Sequence, residues 1–344
     1  VRSRSGRVVL RDELVTLAHG AGGKATRDLV EALFLEELGN DALAPLGDSA
    51  VVDGGERLAF TTDSYVVRPL VFPGGDIGEL AVNGTVNDLA MAGARPLWLA
   101  AGFVLEEGLA IAELRRLVRS MGEAARAAGV AVAAGDTKVV ERGKGDGLYV
   151  TTAGVGVLAD GVELGAERVR PGDRVLLSGT LGDHGMAVML ARGDLALEGD
   201  LASDTAPLHE LAAALVALGP GLRWMRDPTR GGLATALNEL AAQSGHTVRL
   251  REDALPVRPG VHAACEVLGI DPLYVANEGK LVAIVDSTLE GEALAALRAL
   301  PLGADAVAIG TVEADDEALV LLDTALGGGR VVDMLVGDPL PRIC

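Results

Sequence analysis

The chain has 344 residues, is 49% hydrophobic and 23% charged, and carries a formal net charge of −19. That length suits two domains with real cores, and the acidity excludes a phosphate-neutralising nucleic-acid surface, which needs clustered Lys and Arg. No run of about 18 uncharged apolar residues reads as a membrane span, and the pair Cys265 and Cys344 suits a reducing compartment rather than a disulfide framework, so a cytoplasmic protein is expected.

In chain order, residues 24–38 predict an amphipathic helix with Leu29, Leu33 and Leu38 among its apolar positions. Residues 49–53 and 57–62 predict strands joined at Gly54-Gly55, a hairpin signal. Residues 77–92 predict a helix of small residues ending near Gly93, and such a helix can pack closely against a second copy. A strand over 97–105, a helix over 111–128 ended by Gly129, and strands over 130–134 and 148–157 follow. Residues 167–173 break the pattern and mark a join between domains. Beyond it come a strand at 174–178 and helices at 185–191, 205–217, 233–243 and 260–268. Strands at 280–285 and 306–311 flank a helix at 289–300. Strands and helices mix without strict alternation, which predicts an α+β fold.

Several short motifs can carry chemistry. His19-Gly20-Ala21-Gly22-Gly23-Lys24 precedes a helix, where glycines admit a ligand to the backbone and N-terminal amides attract anions. The GxxxxGK[ST] spacing of a Walker loop is absent. Asp48, Asp63 and Asp88 read as loop acids, and Asp136 follows an apolar strand in Gly135-Asp136-Thr137-Lys138. One such Asp is usually a turn or cap residue; four in one domain point to a hard cation such as Mg²⁺ bridging to phosphate. Asn83 and Asn87 share a helix face and need polar partners if buried. Gly182-Asp183-His184-Gly185 and Arg226-Asp227-Pro228-Thr229-Arg230-Gly231-Gly232 each open a helix, and the second suits an anion. Glu278, in Asn277-Glu278-Gly279-Lys280, reads either as a general base or as a turn charge. Cys265 lies in an apolar run and reads as core. Cys344 ends a segment with Pro339 and Pro341, which cannot continue a helix. Eight extended residues there reach roughly 25 Å, so the thiol is either a carrier on an arm or an incidental terminal residue.

Together these motifs resemble the ATP-dependent superfamily of aminoimidazole ribonucleotide synthetase, selenophosphate synthetase and thiamine-monophosphate kinase. Within it the chain resembles the HypE family of hydrogenase maturation factors, the carbamoyl dehydratases. The likeness spans nearly the whole chain: HGAGG at 19–23, GDSA at 47–50, TTDS at 61–64, AVNGTVNDLAMAGARP at 81–96, GDTK at 135–138, RDPTRGG at 226–232, NEGK at 277–280 and the terminal PRIC. The Asp motifs belong to the superfamily; PRIC discriminates.

The resemblance implies a two-domain PurM-like (AIR synthetase-like) α+β fold. An N-terminal domain over 1–165 would bind ATP and Mg²⁺ and dimerise through its sheet. A C-terminal α/β sandwich would span 166–332, and a mobile tail 333–344. It implies that the carbamoyltransferase HypF loads a carbamoyl group onto Cys344. ATP-dependent dehydration would then give a thiocyanate, whose cyanide passes to iron on a HypC–HypD complex for [NiFe]-hydrogenase. ATP would be held by His19, Gly20, Gly22, Gly23, Lys24, Asp63, Asn83, Asn87, Asp88 and Asp136. Mg²⁺ would be held by Asp48, Asp63, Asp88 and Asp136. Lys138 would stabilise developing charge, Glu278 would take a proton, and Arg230 would orient phosphate or tail. Two other readings stand beside this one. A small-molecule kinase of the same superfamily would leave Cys344 dispensable, and a non-enzymatic metal-delivery scaffold would leave the Asp motifs idle.

Overall fold

Alternation along the strands decides how each half is built. The computed structural model describes residues 10, 12–16, 19, 28–40, 57–193, 201–315, 317–334 and 342–344. The first half opens with helix α1, π-type over Val30–Phe34 and α-type over Leu35–Leu38. Then come β1 (Leu58–Tyr65), the small ribbon β2 (Val71–Phe72) and β3 (Gly75–Asp76), α2 (Ile77–Met91) and β4 (Ala94–Glu106). Helix α3 (Ile111–Ala127), β5 (Ala131–Val140) and β6 (Leu148–Leu158) complete it. The strands form a four-stranded sheet in the order β1-β6-β4-β5, with only β4 and β5 parallel.

On β4, Leu99, Ala101, Phe103 and Leu105 are buried and pack with α2 and α3. Trp98, Ala100, Gly102 and Val104 alternate onto the other face, which no element covers among the described residues. Each buried aliphatic side chain contributes roughly 1.5–3 kcal/mol, so this alternation fixes which face meets the helices.

Helix α2 is capped by Asp76, which accepts from Gly78 N (2.8 Å) and Glu79 N (3.1 Å). It is buried almost all round because the sheet lies on one side and the second half of the chain on the other. Its small residues therefore serve packing inside one chain, not the contact with a second copy expected above. At Gly78 a Cβ would stand 2.1 Å from the Leu117 carbonyl, so α2 and α3 approach closely only because that position is glycine.

The second half contains β7 (Arg174–Leu177), α4 (Asp183–Ala191), α5 (His209–Val216), β8 (Leu222–Arg226), α6 (Gly232–Ser244) and β9 (Thr247–Arg251). It continues with α7 (Pro259–Leu268), β10 (Val282–Val285), α8 (Glu290–Arg298), β11 (Val307–Glu313), β12 (Val320–Asp323) and β13 (Gly329–Val331). The seven-stranded sheet runs β13-β12-β9-β11-β7-β10-β8. Val175, Leu177, Val282 and Ile284 pack with α6 on one face, while Leu176, Ala283 and Val285 pack with α5 and α8 on the other. Strands buried on both faces are apolar at every position, as in β10. The result is the expected α/β sandwich.

The predicted helix over 205–217 starts only at His209. Pro207 disfavours helix in the residues before it, and the backbone at 206–208 is spent on contacts with α2. The strand predicted to end at 134 continues to Val140, because Gly135 passes the Ala101 carbonyl where a Cβ would stand at 2.8 Å. The predicted strand over 49–53 and its hairpin, and positions 24–27 of the first helix, lie outside the described residues.

Candidate active site

The site lies where the last turns of α2, the end of β1 and the second half converge on the chain terminus. Asp63 is in strand β1, Asp88 in the last turn of α2 and Asp136 in strand β5, so none of the three is a loop residue. Thr61 Oγ1 donates to Asp88 Oδ2 at 2.8 Å. Burial raises the Asp88 carboxyl, the Thr61 bond opposes the rise and the Asp63 charge adds to it. Register puts Asp136 opposite Gly102 and Lys138 opposite Val104, on the uncovered face of the sheet. Lys138 Nζ meets Asp136 at 2.8 Å there, which holds that carboxyl below its usual range. The expected four-Asp metal set is thus divided. Asp63 and Asp88 lie on the helix-covered face, Asp136 on the other, and Asp48 lies outside the described residues. Among the described residues no group of three or more His, Cys, Asp or Glu is placed to hold a metal.

Asn87 is wholly buried and joins the two halves. Its Nδ2 donates to the carbonyls of Ala206 (3.1 Å) and Glu278 (3.3 Å), and its Oδ1 accepts from Leu208 N (2.7 Å). The amide thus clamps the two halves together, with both of its N–H donors used. Asn83 donates to Thr205 Oγ1 at 3.2 Å, and its buried Oδ1 has no partner. His19 is buried, accepts from Thr16 N at 3.0 Å and lies 3.3 Å from Asp12. Gly20, Gly22, Gly23 and Lys24 lie outside the described residues.

From the second half, Asp227 and Glu278 enter the same space, and Asp204, which no sequence signal singles out, joins them. Asp204 accepts from Glu278 N at 3.0 Å and pairs with buried Lys280 at 3.0 Å. Burial first, then the charges of Asp227, Asp204, Asp63 and Asp88, hold Glu278 well above the usual carboxylate range. Burial, aided by Asp88, lifts Asp227 to about 7. An acid raised this way binds its proton more tightly when folded, so the stability it contributes at low pH is lost as pH climbs from about 4 towards about 7. Asp227→Asn is expected to remove that slope; urea unfolding of both proteins at about pH 5 and about pH 8 checks it, the variant gaining only at the higher pH.

The chain end closes the site. Val66 N donates to the Cys344 carbonyl and Arg68 N to the Arg342 carbonyl, each at 3.2 Å. Ile343 is buried in the core, and His184 Nε2 meets its carbonyl at 2.6 Å. Arg192 also donates to the Arg342 carbonyl (2.6 Å), and the Arg342 guanidinium reaches Asp146 at 2.7 Å. Arg342 itself sits at φ 58°, a left-handed turn that turns the last residues inward. The Cys344 thiol accepts from Arg230 Nε at 3.3 Å. Burial, then the Glu278 charge, pushes it up to about 12 against the opposing Arg230. The geometry therefore brings together Cys344, Arg230, Glu278, Asp63 and Asp88, and leaves Lys138 and Asp136 apart.

The chain matches the models for AIR synthase related protein, N-terminal domain, over residues 46–158 and C-terminal domain over 170–322. It is 58% identical over 337 residues to carbamoyl dehydratase HypE of Bradyrhizobium diazoefficiens, with 97% of each chain covered. The chain belongs to the carbamoyl dehydratase HypE family. HypE of Escherichia coli is 47% identical, with 96% of this chain and 99% of that protein covered. A crystal structure of HypE in complex with ATP superposes with a TM-score of 0.92 at 47% identity, covering 95% of this chain and 99% of that one. A HypE–HypF complex gives 0.79 at 46%, covering 89% and 99%. Thiamine-monophosphate kinase with a bound nucleotide analogue, at 20% identity and a TM-score of 0.62, shares the fold alone. The two-domain PurM-like α+β fold expected from the motifs is the fold found, and the family is one of enzymes.

Proposed function

We propose that this protein dehydrates a carbamoyl group carried on its own Cys344, using ATP, to give the S-cyanate that supplies cyanide for [NiFe]-hydrogenase maturation. The observation that carries this reading is the seated terminus: the Cys344 thiol meets Arg230 at 3.3 Å and feels Glu278 and Asp63 inside the acidic pocket.

The chemistry balances with the residues present. The carbamoyl oxygen of Cys344–S–C(=O)NH₂ takes the terminal phosphoryl group of ATP, ADP leaves, and one N–H proton goes to a base. The C–O bond then breaks, phosphate departs with the second N–H proton, and S–C≡N remains. Amide oxygen is a poor leaving group, and phosphate a good one. Glu278, buried with its Oε1 unpartnered, suits the base. Arg230 suits the phosphate or the tail. Mg²⁺ fits Asp63 and Asp88: a phosphate-bridging ion needs one or two carboxylates rather than a protein cage. It would supply charge neutralisation on the phosphates.

A thiol held near pKa 12 is a poor nucleophile. Loading by HypF, the partner named with a relative, therefore calls for the tail to swing out, and dehydration for it to return. Delivery to HypC–HypD calls for the same motion. A cytoplasmic setting keeps the thiol reduced.

We place a homodimer contact on the uncovered sheet face. Leu58 and Phe60 are 53% and 72% exposed on β1, beside Val155, Val157, Trp98 and Ala100 in register. Such a contiguous apolar face supports that reading. A second copy would also bring Asp136 and Lys138 against its partner. Trp98→Glu is expected to give monomers in sedimentation at micromolar protein, where the parent sediments as a dimer. Asp63→Asn is expected to cut ATP turnover at least ~10-fold through lost ligand charge. Its melting temperature should stay unchanged, since the side chain is exposed.

Intact mass tests the whole reading. Wild type incubated with HypF, carbamoyl phosphate and ATP should gain about 43 Da and then lose about 18 Da as dehydration proceeds. An unmodified chain under those conditions would remove the carrier reading.

A further inference from the structure

The Gly182-Asp183-His184-Gly185 motif opens α4, and no step of the dehydration uses its histidine. His184 is 0% exposed. Its Nε2 lies 2.6 Å from the Ile343 carbonyl and its Nδ1 2.8 Å from Ser203 Oγ. A carbonyl can only accept, so Nε2 carries the proton. Burial pushes the imidazole pKa down, so the ring is neutral and Nδ1 accepts from the Ser203 hydroxyl.

The neighbours hold the ring still. Ser203 Oγ accepts from Thr205 N (3.0 Å), and Ser203 N donates to the Pro73 carbonyl (2.7 Å). Gly74, at φ 88°, lets the turn between β2 and β3 come this close, since a Cβ there would stand 2.7 Å from Ser203 N. The Phe72 ring meets the imidazole edge-on, with centroids 5.5 Å apart and planes at 89°. A fixed N–H is thus aimed at the peptide group that precedes Cys344. On the other side of that residue, Val66 N holds the Cys344 carbonyl at 3.2 Å. The carbonyls flanking the Cys344 α-carbon are gripped one from each half of the chain, which sets the direction of the side chain between them.

We propose that His184 is a positioning residue for the dehydration step: its Nε2–H grips the Ile343 carbonyl and returns loaded Cys344 to the same place at each turnover. This rests on Cys344 being the carrier. When the tail swings out for loading, the His184 N–H loses its partner. A buried donor left unpaired costs more than a hydrogen bond ordinarily gains, so the loss favours return of the tail. Arg192 and Arg68 N hold the Arg342 carbonyl, two residues before the thiol. They retain the tail, whereas His184 holds the peptide group next to the reacting residue.

Glutamine and asparagine divide the functions of the ring. His184→Gln puts an amide N–H in the place of Nε2 and keeps the bond to Ile343. His184→Asn puts its amide in the place of Nδ1, keeps Ser203 and cannot reach the tail. Both lose the Phe72 contact, so packing losses are common to the two. Alkylation of Cys344 in the full chain, followed by peptide mass, should be about 10-fold faster in His184→Asn and within twofold of wild type in His184→Gln. Single-turnover dehydration should fall about 10-fold in His184→Asn, the effect of a misplaced carboxamide, and stay near wild type in His184→Gln. Loading by HypF should be no slower in either, since it uses the tail swung out; a general loss of structure would slow both steps. Where the ring variants fail to fold, Ser203→Ala leaves the buried Nδ1 unpartnered and should speed alkylation at least ~3-fold. Alkylation or dehydration within twofold of wild type in His184→Asn overturns the assignment and leaves the carrier reading intact. Equal losses in the two ring variants, or an unchanged alkylation rate in Ser203→Ala, do the same. Failure of wild type itself to load or dehydrate overturns both.

Discussion

Cys344→Ala is expected to fold, bind ATP and never carry a carbamoyl or cyano group. Seating of the terminus rests on backbone and on neighbours: Val66 N to the Cys344 carbonyl, Arg68 N to the Arg342 carbonyl, and Ile343 in the core. Alanine keeps all three. Deleting one partly buried sulfur costs at most about 1–2 kcal/mol, within what a two-domain core tolerates. The chemistry has no such tolerance, because a methyl group cannot be acylated. Intact mass with HypF, carbamoyl phosphate and ATP reads the outcome directly, the variant staying at its starting mass. Modification of the variant at another residue would refute the carrier role. The seated state also predicts a slow thiol. At about 12 the folded value lies above the usual ~8.5 of a free cysteine, so the seated form is favoured below pH 8.5 and is lost as pH rises beyond it. Alkylation of Cys344 should lag a free peptide thiol at neutral pH for that reason.

What the residues reveal unaided differs between elements for physical reasons. Helices α2 and α3 and strands β4 and β6 are long and strongly patterned, and they appear within a few residues of where the periodicity puts them. Strands β8, β9, β12 and β13 escape such a reading. Leu222-Arg223-Trp224-Met225-Arg226 and Thr247-Val248-Arg249-Leu250-Arg251 are short and carry arginines, and ion pairs such as Arg249 with Glu313 and Asp323 satisfy these only once the sheet is assembled. The motifs mark Asp63, Asp88, Glu278, Arg230 and Cys344, and the fold gathers them. Spacing cannot say that Asp136 and Lys138 face away, because one position of register in β5 decides it. Nor does it reveal that Asn87 clamps the two halves, since its partners lie 119 to 191 residues away. Asp204 had no motif to announce it; it becomes visible through its hydrogen bond to Glu278 N and its pairing with buried Lys280.

Glu278→Gln is expected to slow dehydration about 10²-fold while leaving loading by HypF and ATP binding intact. Glutamine keeps the shape of the side chain and the backbone contacts with Asp204 and Asn87. It removes only the ability to take a proton. The carboxyl is held high by burial and by four neighbouring acids, which makes it a stronger base once ionised. The wild-type dehydration rate should therefore climb with pH as Glu278 loses its proton, and the glutamine variant should be flat. Stability should move the other way. A carboxyl whose folded pKa is raised contributes stability below its unfolded value and loses it as pH rises, so glutamine should match wild type in acid and exceed it at about pH 8. A merely structural glutamate would show the stability change without the kinetic one. A pH-rate profile that survives in Glu278→Gln would assign the proton to another base, with Asp227, the other raised acid of the pocket, next in line.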